Sequence, residues 1–87
     1  MNNKDTAKKF STSNFYLACF LLVKGMSLIG LDRTDPKRCE FIFEDTSTRE
    51  KLSNDFAFAN ENDQCLLVDA RRLIAAIKNL KEKLYED

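Results

Sequence analysis

The side chains that could do chemistry in this sequence are few, and the types absent narrow the options first. There is no histidine, the group that most often supplies a proton donor or acceptor near neutral pH. Glu40 and Glu44 stand four apart on what reads as one strand face, and Glu44 with Asp45 has the hard oxygen donors that Mg²⁺ and a substrate phosphate would need. Against that, carboxylates alternating with Phe41 and Phe43 are what a solvated strand face requires. Cys19, Cys39 and Cys65 are an odd set, twenty and twenty-six residues apart with no C-x-x-C pair. A zinc site would have to take all three thiolates plus a carboxylate, so they read as buried, reduced thiols, without a disulfide framework or a metal. The only glycines, Gly25 and Gly30, are followed by no Lys-Ser or Lys-Thr and form no phosphate loop. The expectation is a chain with no catalytic residues, no cofactor, no metal and no evident small-molecule substrate.

Two groups of residues remain for binding. Arg33, Lys37 and Arg38 surround an Asp-Pro turn, and Arg71 and Lys78 share a side of the last helical segment. Together they are the one surface on which a nucleic-acid phosphate could sit, although Asp32 and Asp35 dilute it. Phe15, Cys19 and Leu22 lie on a segment apolar almost all round and are the candidates for an interface with a second copy or another protein.

The elements that must position these residues follow from pattern. Eighty-seven residues, 44% of them apolar at zero net charge, are enough for one core and too hydrophobic for disorder. The first 43 residues carry seven basic and four acidic groups and the remainder seven and ten, so any charged partner must be recognised locally. The apolar run from Phe15 to Val23 is nine residues long, well short of the roughly 20 needed to span a bilayer. Read as a secretory leader it would cost the domain its first helix, and the expectation is a cytoplasmic protein with no membrane association.

Residues 1–10 read as a flexible tail and 11–87 as one domain. Ser11, Thr12 and Ser13 offer capping oxygens for a helix over 14–24, closed by Gly25. A hairpin over 26–44 follows, its second strand alternating Cys39, Phe41 and Phe43 against Glu40, Ile42 and Glu44. Gly30, inside the first strand, signals a bulge or a close backbone approach. Ser47 and Glu50 have capping-box spacing for a helix over 48–58, residues 65–68 suit a short third strand, and Asp69 caps a helix over 69–85 with apolar residues at i, i+3, i+4 and i+7. The fold class is α+β, in the order α-β-β-α-(β)-α: a small antiparallel sheet packed on three helices. The core should include Leu17, Phe20, Leu21, Leu28, Phe41, Phe43, Leu52, Phe56, Leu73, Ile77 and Leu80.

The motifs Phe10-x-Thr12-Ser13, Leu17-Ala18, Leu21-Leu22 before Gly25, Phe41-Ile-Phe43-Glu-Asp45 and Arg72 with Lys78 and Lys81 together resemble a small domain family of unknown function found in bacteria, archaea and their mobile elements. The resemblance spans roughly residues 10–83 and is most specific at the F-x-F-E-D strand end. It implies this order of elements and, by its setting, an accessory role near nucleic-acid processing. It supplies no site residues. The functional expectation is a non-enzymatic accessory module acting through protein contacts as a homodimer, with direct nucleic-acid binding through Arg33, Lys37, Arg38, Arg71 and Lys78 as the alternative.

Overall fold

A computed structural model describes residues 8–35 and 37–85. Its centre is the strand with the cleanest alternation. β3 (Arg38–Glu44) buries Phe41 and Phe43 on one face and leaves Glu44 exposed. It pairs antiparallel with β2 (Leu28–Asp35) on one side and with β1 (Lys9–Thr12) on the other, giving the order β1-β3-β2.

β1 corrects two expectations. Lys9 and Phe10 belong to a strand rather than to a tail, and the sheet's third strand comes from the N-terminal side and not from residues 65–68. Residues 1–7 lie outside the described residues. The four residues of β1 carry one strong apolar side chain, too little signal to read alone. What makes them a strand is the free edge of β3, which places Phe10 opposite Phe43 and Thr12 opposite Phe41. Residues 64–66 form a 3-10 turn instead, because the Asp63 carboxylate accepts from the Cys65 amide at 3.1 Å and curls the chain before it can extend.

α1 (Phe15–Val23) is capped by Asn14, whose Oδ1 accepts from the Tyr16 and Leu17 amides at 3.1 Å each. The expected caps stand one to three residues too early. Thr12 instead accepts from the Asn14 amide and fixes the approach to the helix. At the other end Gly25, with φ +103°, donates to the Leu22 carbonyl, and Met26 donates to that of Leu21. These bonds close a Schellman motif with Met26 buried beneath it. Ala18, Cys19, Phe20 and Leu21 are consecutive and all buried, which is possible only for a helix covered on most sides. The covering elements belong to this chain: α1 contacts β1 and the two later helices, α2 (Arg49–Phe58) and α3 (Ala70–Leu84).

The bulge foreseen at Gly30 is present. Leu28 pairs with Phe43 and Leu31 with Phe41, three residues against two, so one extra residue keeps both leucines on the core face. A Cβ on Gly30 would meet nothing within 4 Å, which leaves the bulge and not a close approach as its role.

The capping box of α2 does not form. Thr48 occupies the cap with a helical backbone and makes no side-chain capping bond. Arg49 anchors this end: its Nε donates to Asp45 at 3.1 Å while the guanidinium lies 4.2 Å from the centroid of the Phe10 ring. α3 is capped as expected, Asp69 accepting from the Arg72 amide at 3.1 Å. Every predicted core residue is buried or packs against the buried cluster, which also takes in Ala18, Cys19, Met26 and Ala76. No helix among the described residues is long and apolar enough to cross a membrane.

Candidate interaction surface

An apolar concavity lies where three helices meet. α1 contributes Tyr16, Cys19 and Phe20, α2 contributes Phe56, the chain after the 3-10 turn contributes Leu66 and Val68, and α3 contributes Leu73 and Ile77. They line a groove of about 330 Å³, within the ~300–1,000 Å³ typical of binding clefts. Phe20 and Phe56 form its floor with ring centroids 5.2 Å apart.

The groove arises from local sequence. α2 has two strong apolar contacts, Leu52 and Phe56, and reaches only part of α1. The polar loop and 3-10 turn then carry Leu66 and Val68 around the gap without filling it. Large apolar side chains stay exposed alongside: Tyr16 at 67%, Leu67 at 62% and Ile74 at 53%. Tyr16 lines the groove itself, and Ile74 sits on α3 one residue from Leu73.

No group in this lining is set up as an acid, base or nucleophile. Its polar side-chain groups are the Tyr16 phenol and the Cys19 thiol, and burial pushes that thiol up, only partly offset by a backbone hydrogen bond and the Lys81 charge. No charged residue lines the groove. Lys24 Nζ is 5.4 Å from the Phe20 ring centroid, and on α2 Lys51 pairs with Asp55 at 2.8 Å.

A larger hollow of about 620 Å³ runs between the outer edge of β2 and α3. Its walls mix residues 28–31 of β2 with Arg33, Asn79 and Lys83, and the Arg33 guanidinium donates to the Lys83 carbonyl. Arg33 thereby satisfies a carbonyl at the C-terminal end of α3 and ties the hairpin to that helix.

The structure divides the five cations proposed for nucleic acid. Arg33, Lys37 and Arg38 lie towards the hairpin end, with Lys37 and Arg38 flanking a shallow hollow that reaches Leu84. Arg71 and Lys78 are seven apart on one exposed face of α3. Along the helix Arg71 lies about 18 Å from Lys83, at ~1.5 Å per residue, so the five do not converge on one phosphate. Glu40 shares a hollow with Asp32, Asp35 and Arg38. No group of three or more His, Cys, Asp or Glu among the described residues is placed to hold a metal ion.

The three proposed interface residues fare differently. Cys19 is 1% exposed and belongs to the buried cluster, from which it lines the groove beside Tyr16 and Phe20. Phe15 packs edge-on against Phe41 at 6.0 Å, and Leu22 packs against the buried cluster. Three of the exposed large apolar residues, Tyr16, Leu67 and Ile74, were missed as interface candidates; Ile29, Phe58 and Tyr85 are exposed as well. Ile74 lies in the apolar pattern of the last helix without being one of its named core positions. Its displacement by about 100° from Leu73 was the available signal.

The molecule is thus a small α+β domain built on one central apolar helix, with a three-stranded antiparallel sheet and a helical groove. It belongs to the family described as Domain of unknown function (DUF5659), which matches residues 7–86. No curated protein and no solved structure matches the chain.

Proposed function

We propose that this domain is a non-enzymatic module that works by docking another polypeptide on the face formed by α1, α3 and the 3-10 turn. The observation that carries the reading is the groove floored by Phe20 and Phe56 with Tyr16, Leu67 and Ile74 left exposed. Apolar surface gathered around a cleft is what a docking interface needs at its centre, with charge kept to the rim. The occupant is a second copy or another chain, and both satisfy the same physics.

The test is site-specific photo-crosslinking in cells that express the protein, with the reactive group at position 74 and a control at exposed Glu50 on α2. A discrete polypeptide adduct from position 74, missing from position 50 and abolished by Tyr16→Glu, is the expected result. A nucleic-acid adduct, or no adduct at position 74, overturns the reading. The first of these would return attention to Arg71 and Lys78.

A further inference from the structure

The chemistry of the groove specifies its occupant more narrowly, given the docking reading above. Its walls are helices and a 3-10 turn, whose backbone groups are largely bonded within their own elements, so no strand edge faces the opening. An extended segment would gain no ladder there. A helix satisfies its own backbone and presents a ridge of side chains at i, i+3, i+4 and i+7, the shape that a short apolar hollow between helices accepts.

The rim adds a sign. Lys24 stands at the Phe20 side. Lys78 and Lys81 follow Ile74 by four and seven residues and so share its flank of α3. The Lys81 charge is felt at Cys19 in the groove lining. On α2 Lys51 is paired with Asp55, the residue before Phe56, and Asp63 is committed to the Cys65 amide. The α1–α3 side therefore carries three lysines, with Glu82 beside Lys78 and Lys81, and the paired Lys51 and Asp55 add no net charge on α2.

A second copy fits this poorly. A two-fold contact centred on the groove sets hollow against hollow and leaves both unfilled. Its exposed α3 ridge would carry Ile74 to the groove but would bring Lys78 and Lys81 against a lysine rim. We infer that the groove receives an amphipathic helix of a different protein, with apolar anchors along its ridge and acidic residues on the flank that lies against Lys24, Lys78 and Lys81.

The probes are two stapled helical peptides with leucine at i, i+3, i+4 and i+7, one flanked by glutamate and the other by lysine. Binding to the full chain is followed by amide chemical shifts at low and high salt. The glutamate peptide should bind about tenfold or more tighter at low salt, with shifts at Tyr16, Phe56 and Ile77. Added salt should shrink the preference, Lys78→Glu with Lys81→Glu should reverse it, and Ile74→Glu should weaken both peptides while circular dichroism stays native. Equal binding of the two peptides, or binding of neither, overturns the inference. If the free chain is instead a dimer that Ile74→Glu returns to monomer, the occupant is a second copy: this inference falls and the docking function stands.

Discussion

Gly25 and Gly30 are the same residue type placed five apart, and the structure assigns them opposite sensitivities. Gly25 sits at φ +103°, where a side chain is strained whatever the surrounding space. Gly30 has ordinary backbone and open space around its missing Cβ. Gly25→Ala should therefore cost about 1 kcal/mol or more, whereas Gly30→Ala should be neutral or stabilise by up to ~1 kcal/mol through the unfolded chain. Urea denaturation of the two variants gives the comparison directly. The helix-ending role of Gly25 was legible beforehand because glycine after an apolar helical run has few other reasons to be there. The cap at the other end was not: four adjacent polar residues could all accept a hydrogen bond, and only the helix start selects Asn14 over Ser11, Thr12 and Ser13.

At the scale of elements, the junction between β1, the end of β3 and α2 depends on Arg49. One guanidinium covers the Phe10 ring and bonds Asp45, joining the edge strand to the helix. Arg49→Ala should destabilise the domain by roughly 1 kcal/mol and raise amide exchange in Lys9–Thr12 before it does so in β2. The same contact sets a pH dependence. The hydrogen bond from Arg49, aided by its charge, holds the Asp45 carboxyl below the usual carboxylate range. A depressed folded-state pKa means that its contribution is present above the unfolded value, about pH 4, and is lost as pH falls through the folded value. Asp32, bonded to Thr34, and Asp63, bonded to Cys65, act in the same direction. Between neutral pH and pH 2 the urea midpoint of the wild type should fall further than that of Asp45→Asn, the difference opening only below about pH 4. None of this could be read from the capping-box spacing, which pointed to Ser47 and Glu50. A side chain reaching a ring on a strand some forty residues earlier is a tertiary contact and leaves no local signature.

For the whole molecule, the sheet and the helices share one small core, in which Phe41, Phe43, Leu21 and Leu80 are fully buried. Phe43 faces partners on both sides, Phe10 in β1 and Leu28 in β2. Phe43→Ala should cost about 3–5 kcal/mol, a large share of the ~5–15 kcal/mol available to a domain. Denaturant titration should show either a strongly lowered midpoint or an unfolded chain, and a loss under 1 kcal/mol would contradict the packing described.

The sequence by itself determined the class of fold, the limits of β3, the extent of α1, α2 and α3 to within a residue or two, and every core position named from it. Those features rest on period and composition: alternation in residues 38–44, apolar spacing in 70–84, and a run in 15–23 with no polar side to expose. Only the tertiary structure decided that residues 9–12 complete the sheet, that 64–66 turn instead of extending, that Arg33 serves α3, and that Cys19 is enclosed while Tyr16 and Ile74 are not. Each of these depends on what lies across space: a free strand edge, a carbonyl at a helix end, or the distance to which α2 covers α1. Local pattern says which side chains avoid water. Whether another part of the chain reaches them is settled by packing, and the groove lies where it does not.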